Sequence, residues 1–400
     1  MLRRVIILGS TGSIGLQTVE AVAHLNELHH RQRHPHQYRV VGLAAGHGAD
    51  ALFQQALALG VADVSTLSDL DGPSQFRVRR GPAGATELVE SIDADIVVAA
   101  VVGSAGLPAT LAAARLGRRI ALANKETLVA AGELIVPQAV RSAAAILPVD
   151  SEHSGVWQCL TGLAPASIVP PVAAAPPGVR RVVLTASGGP FRTAAISEMR
   201  AATPAQALRH PTWTMGAKVT IDSASLMNKA LEIIEARWLF GLSPDQLGGV
   251  IHPQSIVHAL VELHSGSTIA QLGRPDMRTP ILHALAWPDI PSGIVEQPDL
   301  ARAGRLDFEA IDPDRFPAFG LAFEVLANGG TSGAVLNAAN ESAVRAFLDG
   351  RCVFGDLATL ASKTLHSVGV SPLRDLSDVG QAENEARRCV ERLLASGHRS

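Results

Sequence analysis

The chain has 400 residues, 47% of them hydrophobic and only 4% aromatic, with a formal net charge of −3. That length predicts two or three domains, and that apolar content supports a packed, enzyme-sized body. The slightly acidic balance argues against a general nucleic-acid or membrane-surface binder.

Three cysteines, Cys159, Cys352 and Cys389, stand too far apart for a metal or disulfide framework and point to a reducing, cytoplasmic setting. Residues 96–114 carry no charge, but Gly103, Gly106 and Pro108 break them into strand, turn and helix. Residues 159–179 are also uncharged, and five prolines forbid a regular helix there. The basic start, Arg3-Arg4, precedes an apolar stretch too short for a signal peptide.

Val5-Ile6-Ile7-Leu8 is a β-branched run of strand type. Gly9-Ser10-Thr11-Gly12-Ser13-Ile14-Gly15 follows, and then a segment with helical spacing. Strand, glycine turn and helix together form a dinucleotide-binding pattern, in which backbone approaches a pyrophosphate at a helix N-terminus. The spacing is G-x-x-G-x-x-G, which as a bare pattern is a weak signal. Residues 29–37 are a polar, His-rich insert before the second strand, 38–45. That strand ends Gly46-His47-Gly48-Ala49, with no acid before Asp50, which leans toward NADP over NAD. His47 either meets the 2′-phosphate or is a solvent-facing loop residue.

Further βα units run through 95–100, 107–116 and 119–123. Asn124-Lys125-Glu126 falls at the carboxyl end of the last strand, where ligands bind in open parallel sheets. Lys125 is placed there for a substrate hydroxyl or the nicotinamide side. The triplet also reads as a helix start with Asn124 as cap.

Ile146-Leu147 lead through Pro148 into Val149-Asp150-Ser151-Glu152-His153-Ser154. In extended backbone Asp150 and Glu152 point to one side, and paired carboxylates suit Mg²⁺ or Mn²⁺. The bland alternative is a helix opening capped by Ser151 or Ser154.

Residues 163–178 read as a Pro/Ala-rich loop, and 182–186 as a strand entering Ser187-Gly188-Gly189-Pro190, which is either a turn meeting phosphate oxygens or a plain turn. Residues 203–216 lack periodicity and carry His210, Trp213 and Met215 before Gly216, the pattern of a lid. Residues 221–240 read as one amphipathic helix. Met227, Leu231, Ile234 and Trp238 form its apolar stripe, and Ser225, Asn228, Lys229 and Glu232 its polar one. Ser223, Asn228 and Lys229 could hold a phosphate, and Glu232 could be a third metal carboxylate. Residues 249–261 and 268–272 read as strands, 288–311 as a linker, and four helical patterns from 319 to 394 as a small bundle with no chemistry of its own.

These motifs, with Pro148 to Ser154, Pro275-Asp276-Met277 and Asn337-Ala338-Ala339-Asn340-Glu341, closely resemble the 1-deoxy-D-xylulose-5-phosphate reductoisomerase family over nearly the whole chain. The resemblance implies an α/β fold: an N-terminal Rossmann-like NADPH domain (1–150) and a central α+β catalytic domain (151–287) with a lid loop about 187–217. A linker (288–311) and a C-terminal helical domain (312–400) would complete it, assembled as a homodimer. It implies isomerisation and reduction of 1-deoxy-D-xylulose 5-phosphate to 2-C-methyl-D-erythritol 4-phosphate, with NADPH and Mg²⁺, Mn²⁺ or Co²⁺. The metal would be held by Asp150, Glu152 and Glu232. Lys125, Ser151, Glu152, Ser187, His210, Trp213, Ser223, Asn228, Lys229 and Met277 would meet the substrate, with Lys125, His210 and the metal carboxylates catalytic. Thr11, Gly12, Ser13, Ile14, Gly46, Asn124, Glu126 and Gly216 would touch the cofactor. Such a family member binds a sugar phosphate, no nucleic acid and no membrane.

Overall fold

The computed structural model describes residues 1–69, 72–164, 168–213 and 215–397. Residues 165–167 of the Pro/Ala-rich loop, Thr214 of the expected lid and the last three residues lie outside it.

The N-terminal part alternates strand and helix: β1 (Leu2–Leu8), α1 (Ser13–His30), β2 (Gln37–Ala45), α2 (Ala49–Leu59), β3 (Asp63–Thr66), β4 (Arg77–Arg80), α3 (Gly84–Ser91), β5 (Ile96–Ala99), α4 (Leu107–Arg115), β6 (Arg119–Leu122), α5 (Glu126–Ser142) and β7 (Ile146–Pro148). The seven strands form one parallel sheet in the order β4-β3-β2-β1-β5-β6-β7. Its central strands are apolar on both faces, because helices cover both sides. The order reverses beside β1, whose neighbours are β2 and β5, so the glycine turn opens at the switch point.

The middle of the chain continues with α6 (Ser151–Leu163), β8 (Val179–Ala186), α7 (Ile196–Arg200), α8 (Pro204–Ala207), α9 (Ala217–Ala224), α10 (Met227–Phe240), β9 (Leu247–Ile251), β10 (Val257–Leu263) and β11 (Thr268–Leu272). Its four strands form a second sheet, β11-β10-β8-β9. The expected strand 249–261 is two strands, because Pro253 has no N–H to pair and Ser255 turns at φ 51°. The expected helix 221–240 is likewise two helices, broken where Leu226 adopts φ 58°. Met227, Leu231 and Ile234 are buried, but so are Lys229 and Glu232. The polar stripe therefore faces the interior of the protein.

After α11 (Arg278–Ala286) and the short α12 (Leu300–Ala303) come α13 (Leu321–Asn328), α14 (Ser332–Leu348), α15 (Asp356–Val368) and α16 (Leu376–Ala395). One continuous apolar core includes residues of both sheets and of these last helices. Two close approaches set α5 at its centre. Helix α5 is interrupted at Ala131 (φ −141°), and a Cβ on neighbouring Gly132 would stand 2.4 Å from the Trp238 ring of α10. A Cβ on Gly333 of α14 would stand 2.0 Å from the Val129 carbonyl oxygen. Both helices thus seat on α5 at van der Waals contact, and α5 begins beside Lys125. No described helix is long and apolar enough to cross a membrane.

Candidate active site

Tight backbone builds the glycine turn. Gly9 adopts φ 82°, and its N–H and that of Ser10 both donate to the Ala44 carbonyl, at 2.8 and 2.9 Å. A Cβ on Gly9 would meet the Ala100 oxygen at 2.4 Å, and one on Gly15 the Gly9 oxygen at 2.4 Å. Helix α1 then starts with no side-chain cap and no acid in its first turn. Its first N–H groups, and the buried Ser10 hydroxyl, which has no partner among the described residues, fit an anionic phosphate. Thr11, Gly12, Ser13 and Ile14 form this mouth, partly or fully exposed, and Gly46 ends β2 nearby. His47 and Asp50 are exposed.

Asn124 is buried and fully used by the protein itself. Its Oδ1 accepts from the Thr127 N–H (2.9 Å) and hydroxyl (2.7 Å), which is the capping expected from sequence. Its Nδ2 donates to the Val101 and Gly103 carbonyls. It therefore fixes the loop after β5 against the start of α5. Glu126 is buried too, paired to Lys218 Nζ at 2.9 Å.

The carboxylates meet one strand away. The extended-backbone argument for Asp150 and Glu152 fails. Asp150 is the residue before α6, at φ −57° and ψ 135°, and Glu152 lies in the first helical turn. They converge because the chain changes from strand to helix between them, and neither serine caps the helix. Glu232 of α10 completes the group: one oxygen from each of Asp150, Glu152 and Glu232 lies within 4.8 Å of the others. Lys125 Nζ stands 2.6 Å from Asp150, 2.8 Å from Asn228 Oδ1 and 2.9 Å from Glu232. Lys229 Nζ is 2.6 Å from Glu152 and also pairs with Glu232, to which Asn228 donates. Ser151 donates to Glu152.

Charge accounts for this arrangement. Burial alone would push Lys125 down, but Asp150 and Glu232 outweigh it and hold the ammonium well above its usual range. Burial raises Glu232 to about 7, helped by the neighbouring Asp150 and Glu152 charges and opposed by the two lysines. Three crowded acids with all-oxygen donors fit a hard divalent cation. A second trio, Asp150, His153 and Glu235, spans a similar distance. His153 and Glu235 are sealed from solvent, whereas Asp150 and Glu152 keep some exposure, so the all-oxygen trio is the one a substrate can reach. His153 instead supports that trio from behind, with Nε2 2.8 Å from the Glu232 carbonyl oxygen and Nδ1 3.4 Å from Glu235.

A third group gathers at the lid. His210 Nδ1 accepts the Thr212 and Trp213 N–H groups at 3.1 and 2.8 Å, so Nε2 carries the proton. That nitrogen lies 3.0 Å from Ser187 Oγ and 3.1 Å from Ser223 Oγ. Donation from the imidazole occupies the serine oxygens and leaves their O–H groups free to turn toward an incoming anion. Burial lowers the His210 pKa, which favours this neutral form. Trp213 meets the His258 ring edge-on at 6.5 Å. Met215 is half-buried, Gly216 is exposed immediately before α9, and Met277 packs on the main core before α11.

The expected phosphate group is thus divided. Ser187 and Ser223 come together around His210, while Asn228 and Lys229 turn to the carboxylates. Lys218, Asp222, His153 and Glu235 carry no signal of a site in the sequence, because a polar residue in a helix reads as solvated surface. The C-terminal helices also do more than form a bundle, since Asn340 of α14 donates to Asp222 Oδ1 at 2.8 Å.

Family models agree with this picture across most of the chain. The 1-deoxy-D-xylulose 5-phosphate reductoisomerase model matches residues 5–132, and two models of C-terminal domains of the same enzyme match 146–240 and 272–389. A reductoisomerase of that name from Rhodospirillum centenum is 47% identical over 100% of this chain and 96% of its own length. One from Pelodictyon phaeoclathratiforme is 44% identical over 98% and 100%. Among solved structures, a DOX-P reductoisomerase in complex with NADPH, fosmidomycin and magnesium superposes with a TM-score of 0.88 at 36% identity, covering 100% of both chains. The Zymomonas mobilis enzyme in complex with NADPH gives 0.87 at 39% identity, over 99% and 100%. The chain belongs to the 1-deoxy-D-xylulose 5-phosphate reductoisomerase family.

Proposed function

We propose that the protein converts 1-deoxy-D-xylulose 5-phosphate to 2-C-methyl-D-erythritol 4-phosphate, using NADPH and a divalent metal, in the synthesis of isoprenoid precursors. The observation that carries the reading is the Asp150, Glu152 and Glu232 trio, set at the carboxyl edge of a nucleotide-type sheet and bridged by two lysines.

Asp150, Glu152 and Glu232 would hold Mg²⁺ or Mn²⁺, with Co²⁺ also acceptable to oxygen donors. Bound there, the ion supplies Lewis-acid polarisation of neighbouring substrate oxygens. Thr11, Gly12, Ser13, Ile14, Gly46, Asn124, Glu126 and Gly216 would line the site of NADPH, which supplies the hydride.

The chain's own residues do the rest. Ser187 and Ser223 turn their hydroxyls to the substrate phosphate, with His210 holding both oxygens. Asn228 and Lys229, which here turn to the carboxylates, would complete the substrate contact from that side. Binding energy gathered at the phosphate then orients the reacting carbons. Lys125 and Ser151 donate to substrate oxygens beside the trio, where Lys125 stays charged. Trp213, Met215 and Met277 provide apolar cover, and the lid loop about 187–217 excludes water when closed.

The assignment divides the molecule at residues 1–150 for cofactor, 151–287 for catalysis, 288–311 for the linker and 312–400 for the helical domain. A cytoplasmic homodimer is the assembly in keeping with the family.

The test is NADPH oxidation with 1-deoxy-D-xylulose 5-phosphate after chelation, with and without added Mn²⁺. Metal-dependent oxidation that yields the branched methylerythritol phosphate is the expected result. NADPH binding without oxidation would overturn the substrate.

A further inference from the structure

A second ionic cluster lies outside the reacting centre and joins elements far apart in sequence. Lys218, in the first turn of α9, is four-fifths buried. Its Nζ is 2.9 Å from Glu126 at the start of α5 and 3.1 Å from Asp222, one turn further along α9. Asp222 is held on its other oxygen by Asn340 of α14. Next to Asn340, Glu341 reaches the loop after β5: a Cβ on Gly103 would stand 3.2 Å from its Oε1. That loop is tied in turn to Glu383 of α16 by Ser104 Oγ, at 2.9 Å.

The placement of Lys218 sets what it can do. It follows Gly216, where the lid ends, by two residues. It precedes Ser223, the clamp hydroxyl on His210, by five. Its partner Glu126 directly follows Lys125, which bridges Asp150 and Glu232. One side chain therefore links the cofactor crevice, the root of the lid and the phosphate clamp. A lysine whose only task was to fill space would not need two carboxylates from different helices, and removing it would leave both acids buried and facing each other.

We propose that Lys218 is a positioning residue that couples cofactor binding to the phosphate clamp. Cofactor settling against Glu126 and the loop after β5 fixes Glu126. Glu126 fixes Lys218, and Lys218 sets the rotation of α9 that presents Ser223. Coupling of this kind is reciprocal: each ligand tightens the other. The inference rests on the function proposed above, since it takes NADPH and the sugar phosphate as the two ligands.

The experiment measures binding to the full-length, metal-loaded protein by calorimetry. Affinity for 1-deoxy-D-xylulose 5-phosphate is read with and without NADP⁺, which cannot reduce it. In the wild type, NADP⁺ should tighten the sugar phosphate about tenfold. In Lys218→Met, NADP⁺ alone should bind within about threefold of wild type, while the tightening falls below about twofold. Lys218→Arg should restore it. A purely structural lysine would lower both affinities together and leave their coupling intact. Full tightening in Lys218→Met, none in the wild type, or no rescue by Lys218→Arg would overturn the inference. If Lys218→Met does not fold, Lys218→Gln keeps a donor to Glu126 without bridging to Asp222 and is held to the same outcomes. Absence of any sugar-phosphate binding by the wild type would overturn the substrate reading and this inference with it. Binding whose coupling ignores Lys218 would overturn this inference alone.

Discussion

Glu232 shows how much one residue can organise. Its carboxylate meets Lys125, Asn228 and Lys229, and its own carbonyl holds His153 from behind. Substitution Glu232→Gln keeps the shape, removes one negative charge and leaves both lysines short of counter-charge. Steady-state kinetics should show kcat reduced by on the order of 100-fold or more, while fluorescence titration finds NADPH affinity unchanged. Retained full turnover would remove Glu232 from the metal group. The sequence showed Glu232 as polar among small polar neighbours, and that mixture was a genuine signal. It did not show that the stripe carrying Lys229 and Glu232 is buried against Asp150 and Glu152, because those carboxylates come from a distant part of the chain. Lys218 was hidden for a different reason. A lysine four residues before an aspartate is the ordinary pattern of an exposed helical pair, and only burial distinguishes this one.

At the scale of elements, α5 is the piece against which the others are set. Gly132 accepts the Trp238 ring and Gly333 accepts the Val129 carbonyl, so α10 is spaced by an indole and α14 lies as near as backbones allow. Gly333→Ala would force a methyl group to 2.0 Å from that oxygen. Chemical denaturation should show a loss of about 2–3 kcal/mol. Gly162→Ala, on an exposed part of α6 with nothing within 4 Å, should instead stabilise by about 0.5–1 kcal/mol. Equal effects at the two sites would mean that the α5–α14 contact is softer than its geometry. The βα alternation, the glycine turn and the four last helices were legible in sequence because their periodicities are local. The break between α9 and α10, and the turn at His252 to Ser255, were not. Each turns on a residue with positive φ, Leu226 or Ser255, that is not a glycine, although Pro253 beside the second is a visible breaker.

For the whole molecule, stability should depend on acidity through His283. This ring lies 4.5 Å from Trp157 and 5.9 Å from Trp287 by centroid, and its Nε2 has no hydrogen-bond partner among the described residues. Burial lowers its pKa to about 4. An unfolded chain binds that proton near pH 6.5, the folded one only near 4, so the unfolded state gains protons first as pH falls. The contribution is complete above about pH 6.5 and is lost on the way down to about pH 4, by at most about 3 kcal/mol. Denaturation midpoints at pH 7.5 and pH 4.5 should therefore converge more closely in His283→Phe than in wild type. An unchanged pH difference in the variant would assign the acid sensitivity to other groups, with Asp63 and Asp95 the next candidates.

The seat of α14 on α5 also bears on how the chain is made. A ribosome delivers α5 early and α14 some two hundred residues later. During that interval the first sheet has all seven of its strands, but the helix beside Lys125 still lacks its cover. The nascent cofactor half therefore exposes the Val129 surface to whatever it meets until α14 has been translated.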